Sequence, residues 1–87
     1  MAIVTLRYWA AAKEAAGTAE ETISAATLAE ALAAARGGDT GQNPRLRAVL
    51  ARSSFLIDGA PVGSRAPEAV VLNDAAVIEV LPPFAGG

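Results

Sequence analysis

The order of local signals predicts an α+β fold, with a mixed sheet wrapped around one principal helix. Three observations lead there. Two strand-like runs, at residues 3–9 and 18–24, precede a well-capped helix that starts after Thr27. More strand-like runs follow that helix, the last at residues 77–81. The chain has 87 residues, enough for one domain with a modest margin of core burial. Hydrophobic residues make up 53 %, but alanine inflates that figure, and the core must be built from Val, Ile, Leu and four aromatics.

The first run, Ile3-Val4-Thr5-Leu6-Arg7-Tyr8-Trp9, alternates with period two and places Val4, Leu6 and Tyr8 on the inward face. Residues 10–16 are alanine-rich around Lys13 and Glu14 and favour a short helical turn, which Gly17 ends. Residues 18–24 read as a second strand, antiparallel to the first, with Glu20 and Glu21 on or near its edge to discourage edge-to-edge pairing. Thr27-Leu28-Ala29-Glu30 is a capping box. The helix it opens is expected to run to Arg36 and stop at Gly37, with Leu28 and Leu32 facing the core.

After a loop at residues 37–42, Asn43-Pro44 supplies an N-cap and a first-turn proline for a second, shorter helix. Leu46, Val49 and Leu50 share one of its faces. Arg45, Arg47 and Arg52 lie elsewhere on it, and a solvated face is the expected reading. Residues 54–57 are strand-like, Asp58-Gly59 signals a hairpin, and the return strand Ala60-Pro61-Val62 must be an edge because it contains proline. Val70, Val71 and Leu72 are expected to add apolar packing before the turn at Asn73-Asp74. In the last strand Ile78 and Val80 point inward, and Val77, Glu79 and Leu81 lie opposite. Setting the first and last strands side by side in the middle buries the most apolar of them, and a β-grasp arrangement satisfies this.

Composition narrows the function. Net charge is −2 and the arginines form no basic stripe, which argues against nucleic acid. No apolar stretch approaches membrane length and the N-terminus has no basic leader, so cytoplasmic residence is the expectation. Without cysteine there is no side-chain thiolate, and without histidine the commonest general base and metal ligand are missing. The single lysine, Lys13, sits in no phosphate-binding loop, so no ATP site is evident and no metal ligand set is expected. A self-sufficient enzyme is not what this chain resembles.

The closing Leu81-Pro82-Pro83-Phe84-Ala85-Gly86-Gly87 is distinctive. Residues 1–81 are expected to form the folded domain and residues 82–87 an extended tail. The two prolines end sheet pairing and impose polyproline-like geometry, and six extended residues reach roughly 20 Å. Gly86 and Gly87 lack side chains, so a narrow channel in another protein can admit them where a Cβ would clash. The Gly87 carboxylate is the expected reactive group. Val77 and Leu81 on the outer sheet face, with Phe84 on the tail, are expected to form an apolar patch for a partner.

The opening residues 4–17, the Phe55-Leu56-Ile57-Asp58-Gly59 hairpin and the Pro-Pro-x-x-Gly-Gly ending resemble the small subunit of molybdopterin synthase (MoaD type), a ubiquitin-like β-grasp family. The sister carriers of thiamin biosynthesis (ThiS type) share the Gly-Gly end but usually lack the two prolines. One departure is Asn73-Asp74-Ala75-Ala76, where the family commonly has a glycine. The resemblance implies that an ATP-dependent activating enzyme (MoeB type) adenylates Gly87 and that sulfur then converts it to a thiocarboxylate. It implies that the tail, Leu81 to Gly87 including Pro82, Pro83, Phe84, Ala85 and Gly86, enters the large synthase subunit (MoaE type). The sulfur would pass there to a pyranopterin, with no cofactor or metal held by this chain. A carrier for thiamin or cysteine synthesis, a ubiquitin-like modifier and a plain interaction module remain as alternatives.

Overall fold

The computed structural model describes residues 2–35 and 43–83. Within them the chain runs β1 (Ala2–Tyr8), α1 (Ala10–Ala16), β2 (Glu20–Ala25), α2 (Leu28–Ala34), α3 (Pro44–Arg52), β3 (Ser54–Ile57), β4 (Ala60–Pro61), a 3-10 turn (Pro67–Ala69) and β5 (Val77–Leu81). The strands form one sheet in the order β2-β1-β5-β3-β4. Only β1 and β5 are parallel, and they lie side by side as expected, with β5 central. The expected α+β, β-grasp architecture is therefore present.

Period-two alternation decides which face is covered. Val4, Leu6 and Tyr8 of β1 and Ile78 and Val80 of β5 are buried, and they share one cluster with Leu28 and Ala31 of α2 and Leu46, Val49 and Leu50 of α3. Burying an aliphatic side chain of this kind contributes roughly 1.5–3 kcal/mol, so these positions outweigh every local signal in the chain. Leu32 is half-buried against the cluster rather than inside it. Tyr8 carries a polar end into the same face, and its hydroxyl donates to Glu21 Oε2 at 2.5 Å. Glu21 thus serves a core tyrosine, while Glu20 faces outward and pairs with Arg7 at 3.5 Å.

The turns follow the residues that specify them. Gly17 caps α1 in the left-handed region at φ 77°. Asp58 (φ 51°) and Gly59 (φ 85°) both have positive φ, as a two-residue primed hairpin turn requires. Asp58 Oδ1 also accepts the Val77 amide at 3.0 Å, which fastens the hairpin to the start of β5. β4 is the edge that its proline demands, and it ends at Pro61.

The α2 cap differs in detail from the expectation. The Thr27 hydroxyl accepts from the Glu30 amide at 3.3 Å, but the Glu30 carboxylate reaches the Ala26 amide at 2.9 Å, one residue beyond the usual partner. The helix ends at Ala34, since Ala35 leaves the helical region at ψ 125°, and the Arg36 and Gly37 positions lie outside the described residues. At nine residues α3 is longer than the seven-residue α2, reversing the expected ranking. Val71 is another correction. It is 75 % exposed, because the chain there makes an extended bridge to Thr27 and turns Val70 and Leu72 inward on either side.

Asn73-Asp74-Ala75-Ala76 forms its turn without glycine. Ala75 sits at φ 67°, its amide donates to the Ile3 carbonyl at 2.8 Å, and Asp74 Oδ1 accepts the Ile3 amide at 2.9 Å. The left-handed conformation costs an L-residue about 1–2 kcal/mol, and the extra freedom of an unfolded glycine offsets about 0.4–1. Ala75→Gly is therefore expected to stabilise the domain by about 0.5–1 kcal/mol, read as a rise in thermal midpoint. A fall would show that Ala75 makes a contact worth more than the strain it carries.

Candidate functional site

The site is built at the end of the central strand. β5 pairs with β1 on one side and β3 on the other, and its final residue, Leu81, is registered with Ser54. Pairing stops at Pro82, where the backbone has no amide to donate. Leu81 and Pro82 are half-buried and Pro83 is exposed. Pro82 and Pro83 thus follow a strand that is paired on both sides. Phe84, Ala85, Gly86 and Gly87 lie outside the described residues.

Val77, Glu79 and Leu81 occupy the outer sheet face, as alternation predicts, and all three are half-buried. Val77 is registered with Thr5 on β1 and Glu79 with Arg7, so a polar row separates Val77 from Leu81. The structure does not join them into one apolar patch.

What lies beside Leu81 instead is Trp9. In the parallel ladder Tyr8 pairs with Val80, which brings the next residue of each strand together. The Trp9 side chain is 46 % exposed, and its indole Nε1 donates to Glu79 Oε1 at 3.2 Å. Immediately after it, Ala10 is held at φ 48°, a left-handed corner that swings the chain from β1 into α1. A strained residue of this kind persists only where its surroundings impose it. The signal for Trp9 was available in the sequence. Residues 3, 5, 7 and 9 alternate onto the outer face, and a large aromatic there at a strand end invites a partner.

The root of the tail borders an open groove of about 1570 Å³. Trp9, Ala10 and Ala11 form one wall, Val49 and Arg52 of α3 another, and Leu81, Pro82 and Pro83 run along it. Lys13 and Glu14 of α1 and Ser54 of β3 also line it. The elements are locked around it: the Asn43 side-chain amide donates to the Ala15 carbonyl at 3.1 Å, tying the start of α3 to the end of α1. A smaller depression of about 410 Å³ lies at the other end of β1, beside Ala2, Val71 and Asp74, and has no cationic side chain.

The α3 arginines divide. Arg45 and Arg52 are exposed, as expected of a solvated face. Arg47 is not: its guanidinium donates to the carbonyls of Leu32, Ala33 and Ala35. These carbonyls lie at the end of α2, where the Ala35 amide already donates to the Leu32 carbonyl at 3.3 Å, and α2 has no basic residue in its own last turn. Among the described residues no group of three or more His, Cys, Asp and Glu is placed to hold a metal ion, and no helix is long and apolar enough to cross a membrane.

A five-stranded mixed sheet over three short helices, with a proline-led tail leaving the central strand, defines a small ubiquitin-like β-grasp domain. The chain belongs to the ThiS family, whose sequence model matches residues 6–87. The family is one of ubiquitin-like small sulfur carriers and modifiers, proteins that work with partner enzymes.

Among solved structures, the small archaeal modifier protein 1 (SAMP1) of Methanosarcina acetivorans is 27% identical with a TM-score of 0.81, covering 100% of this chain and 98% of that one. The HVO 2177 protein of Haloferax volcanii is 23% identical at TM-score 0.75, covering 99% of this chain and 87% of that one. A Pyrococcus furiosus protein provisionally named molybdopterin converting factor, subunit 1, is 19% identical at TM-score 0.74, covering 97% and 100%. At those identities the last two speak to fold alone. Comparison with curated proteins returns no match.

Proposed function

We propose that this chain is the sulfur carrier for molybdopterin formation. The observation that carries the reading is the central strand ending at Leu81-Pro82-Pro83, which continues in sequence to Phe84-Ala85-Gly86-Gly87. Residues 1–81 act as the rigid holder and residues 82–87 as the presented arm. The Gly87 carboxylate is ionised at neutral pH, with a reference pKa of about 3.3–3.7, and is a poor electrophile as it stands. An activating enzyme of the MoeB type lets that carboxylate attack the α-phosphate of ATP, releasing pyrophosphate and leaving an acyl-adenylate. A hydrosulfide equivalent then attacks the acyl carbon, AMP departs, and a thiocarboxylate remains.

The loaded tail inserts into a large subunit of the MoaE type, where sulfur passes to a pyranopterin in the cytoplasm. Catalytic acids and bases belong to that partner, and this chain holds no ATP, metal or other cofactor. Pro82 and Pro83 limit the entropy lost on insertion. Phe84, Ala85 and Gly86 meet the channel wall, and Leu81 and Val77 meet the partner's surface.

The molybdopterin pathway rests on the Pro-Pro-x-x-Gly-Gly ending, and a genetic test separates it from its sister pathway. Deleting the gene is expected to abolish molybdoenzyme activity in the native cell while growth without thiamin continues. A thiamin requirement with molybdoenzymes intact would assign the chain to thiamin synthesis instead.

The likeness to a small archaeal modifier favours a second reading, in which a lysine Nζ of a target protein attacks the activated Gly87 carbonyl and forms an isopeptide bond. Both readings require the same adenylation. They part at the next nucleophile.

A further inference from the structure

We propose that β2 is a pairing edge for a second copy of this chain, with the two β2 strands antiparallel about a twofold axis at Thr22 and the two five-stranded sheets joined into one. The inference is independent of the chemistry at Gly87.

The sheet has two edges, and they are closed to different degrees. β4 is two residues long and contains Pro61, which blunts that edge. β2 is six residues long and has no proline. Its pairing with β1 fixes which backbone groups stay open. The Tyr8 amide donates to the Ala19 carbonyl at 2.8 Å, whereas the Thr5 amide turns the other way, to the Ala76 carbonyl at 2.9 Å. Thr5 is registered with Thr22, so the alternation of the ladder directs the amides and carbonyls of Glu20, Thr22 and Ser24 away from β1. The two charges that should guard such an edge are engaged within their own sheet. Glu21 accepts the Tyr8 hydroxyl, and Glu20 pairs with Arg7. An unguarded edge of this length invites another strand.

The open stretch is bounded, and its bounds choose the register. Beyond Ser24, the Ala26 carbonyl already accepts the Leu72 amide and the Ala26 amide donates to Glu30. The strand is therefore open from Glu20 to Ser24, and Thr22 is its centre. An axis at Glu20 or Glu21 would set like carboxylates against each other. An axis at Ile23 or Ser24 would push the second copy onto Ala26, where Leu72 sits. With the axis at Thr22, the Thr22 residues exchange amide-to-carbonyl bonds, and Glu20 of each copy faces the second copy's Ser24. Thr–Thr pairs are favourable across strands, and no like charges meet. The edge thus matches its own twofold image. In the joined sheet the two β5 strands lie five strand spacings apart, roughly 24 Å, and end at opposite ends of it. Each copy keeps its own tail root clear of the contact.

The test follows the mass of the full chain by sedimentation equilibrium. The contact is small, so wild-type dimers are expected only between about 0.1 and 1 mM protein. Thr22 is exposed, and Thr22→Lys and Thr22→Glu set like charges on the axis. Each variant alone is expected to weaken dimerisation by about fivefold or more, and an equal mixture to restore it as a heterodimer. The register is read separately with Thr22→Cys in a chain that has no other cysteine. Directly opposed residues lie about 5.5 Å apart at Cα, within disulfide reach, whereas residues 19 of the two copies lie about 20 Å apart. Mild oxidation is expected to link Thr22→Cys into a dimer and to leave Ala19→Cys unlinked. A wild type that is monomeric to about 1 mM would overturn the proposal. So would a mixture no more dimeric than its components, or equal linking of the two cysteine variants.

Discussion

Appending one alanine after Gly87, or deleting Gly87, is expected to reduce sulfur transfer by about 100-fold or more while the domain melts as before. Reaction within a channel depends on placing the acyl carbon to within about an ångström, and misplacement on that scale costs about 100-fold. One residue shifts the end by about 3.5 Å. Folding does not depend on that end, because β5 closes its ladder at Leu81, six residues earlier. Stability should therefore stay within about 0.5 kcal/mol, as for most surface changes. The pair of measurements is thermal unfolding and reconstituted transfer. Retained transfer in the extended chain would place the reactive group elsewhere.

Arg47→Ala is expected to cost about 2–3 kcal/mol, the largest loss of stability for any polar side chain in the described structure. One guanidinium serves three carbonyls at the end of α2, and α2 is only seven residues long. Hydrogen bonds to a charged donor contribute about 1.5–3 kcal/mol, and removing the donor leaves Leu32 with the Ala35 amide as its partner and takes the guanidinium from Ala33 and Ala35. In a domain of this size that corresponds to a drop of about 10–20 °C in midpoint. Arg47→Lys should recover less than half, since an ammonium cannot present the planar fork that spans three acceptors. A loss below about 0.5 kcal/mol for Arg47→Ala would return Arg47 to the solvated face first expected of it.

Arg47 also shows where local reading stops. Asn43-Pro44 and the Leu46, Val49, Leu50 stripe located α3, because capping and helical period are properties of neighbouring residues. The partners of Arg47 lie 12 to 15 residues away, at the end of a helix that stops at Ala34, ahead of the Arg36–Gly37 end read from the sequence. Val71 misled for a related reason. Three consecutive apolar residues cannot all face one way in extended chain, and only the Thr27 bridge decides which is turned out. By contrast the inward faces of β1 and β5 were legible, since their alternation is strict and their burial is complete on one face, although β1 spans Ala2–Tyr8 and Trp9, expected within it, caps α1.

The candidate site was legible in its covalent part and hidden in its surface. Two prolines and two glycines are written in the chain, whereas the groove arises from three elements that meet only after folding: α1, α3 and the end of β5. The parallel register beside β5 brings Trp9 to Leu81, and that register is a long-range fact. Val77 and Leu81 were expected to merge into one patch, but the Glu79–Arg7 row stands between them.

The most direct measurement is the intact mass of the protein taken from its native cell, with fragmentation to locate any change. A gain of about 16 Da confined to Gly87, one oxygen exchanged for sulfur, is the predicted result. A chain with unaltered mass under every growth condition, and no conjugate joined through Gly87, would contradict it.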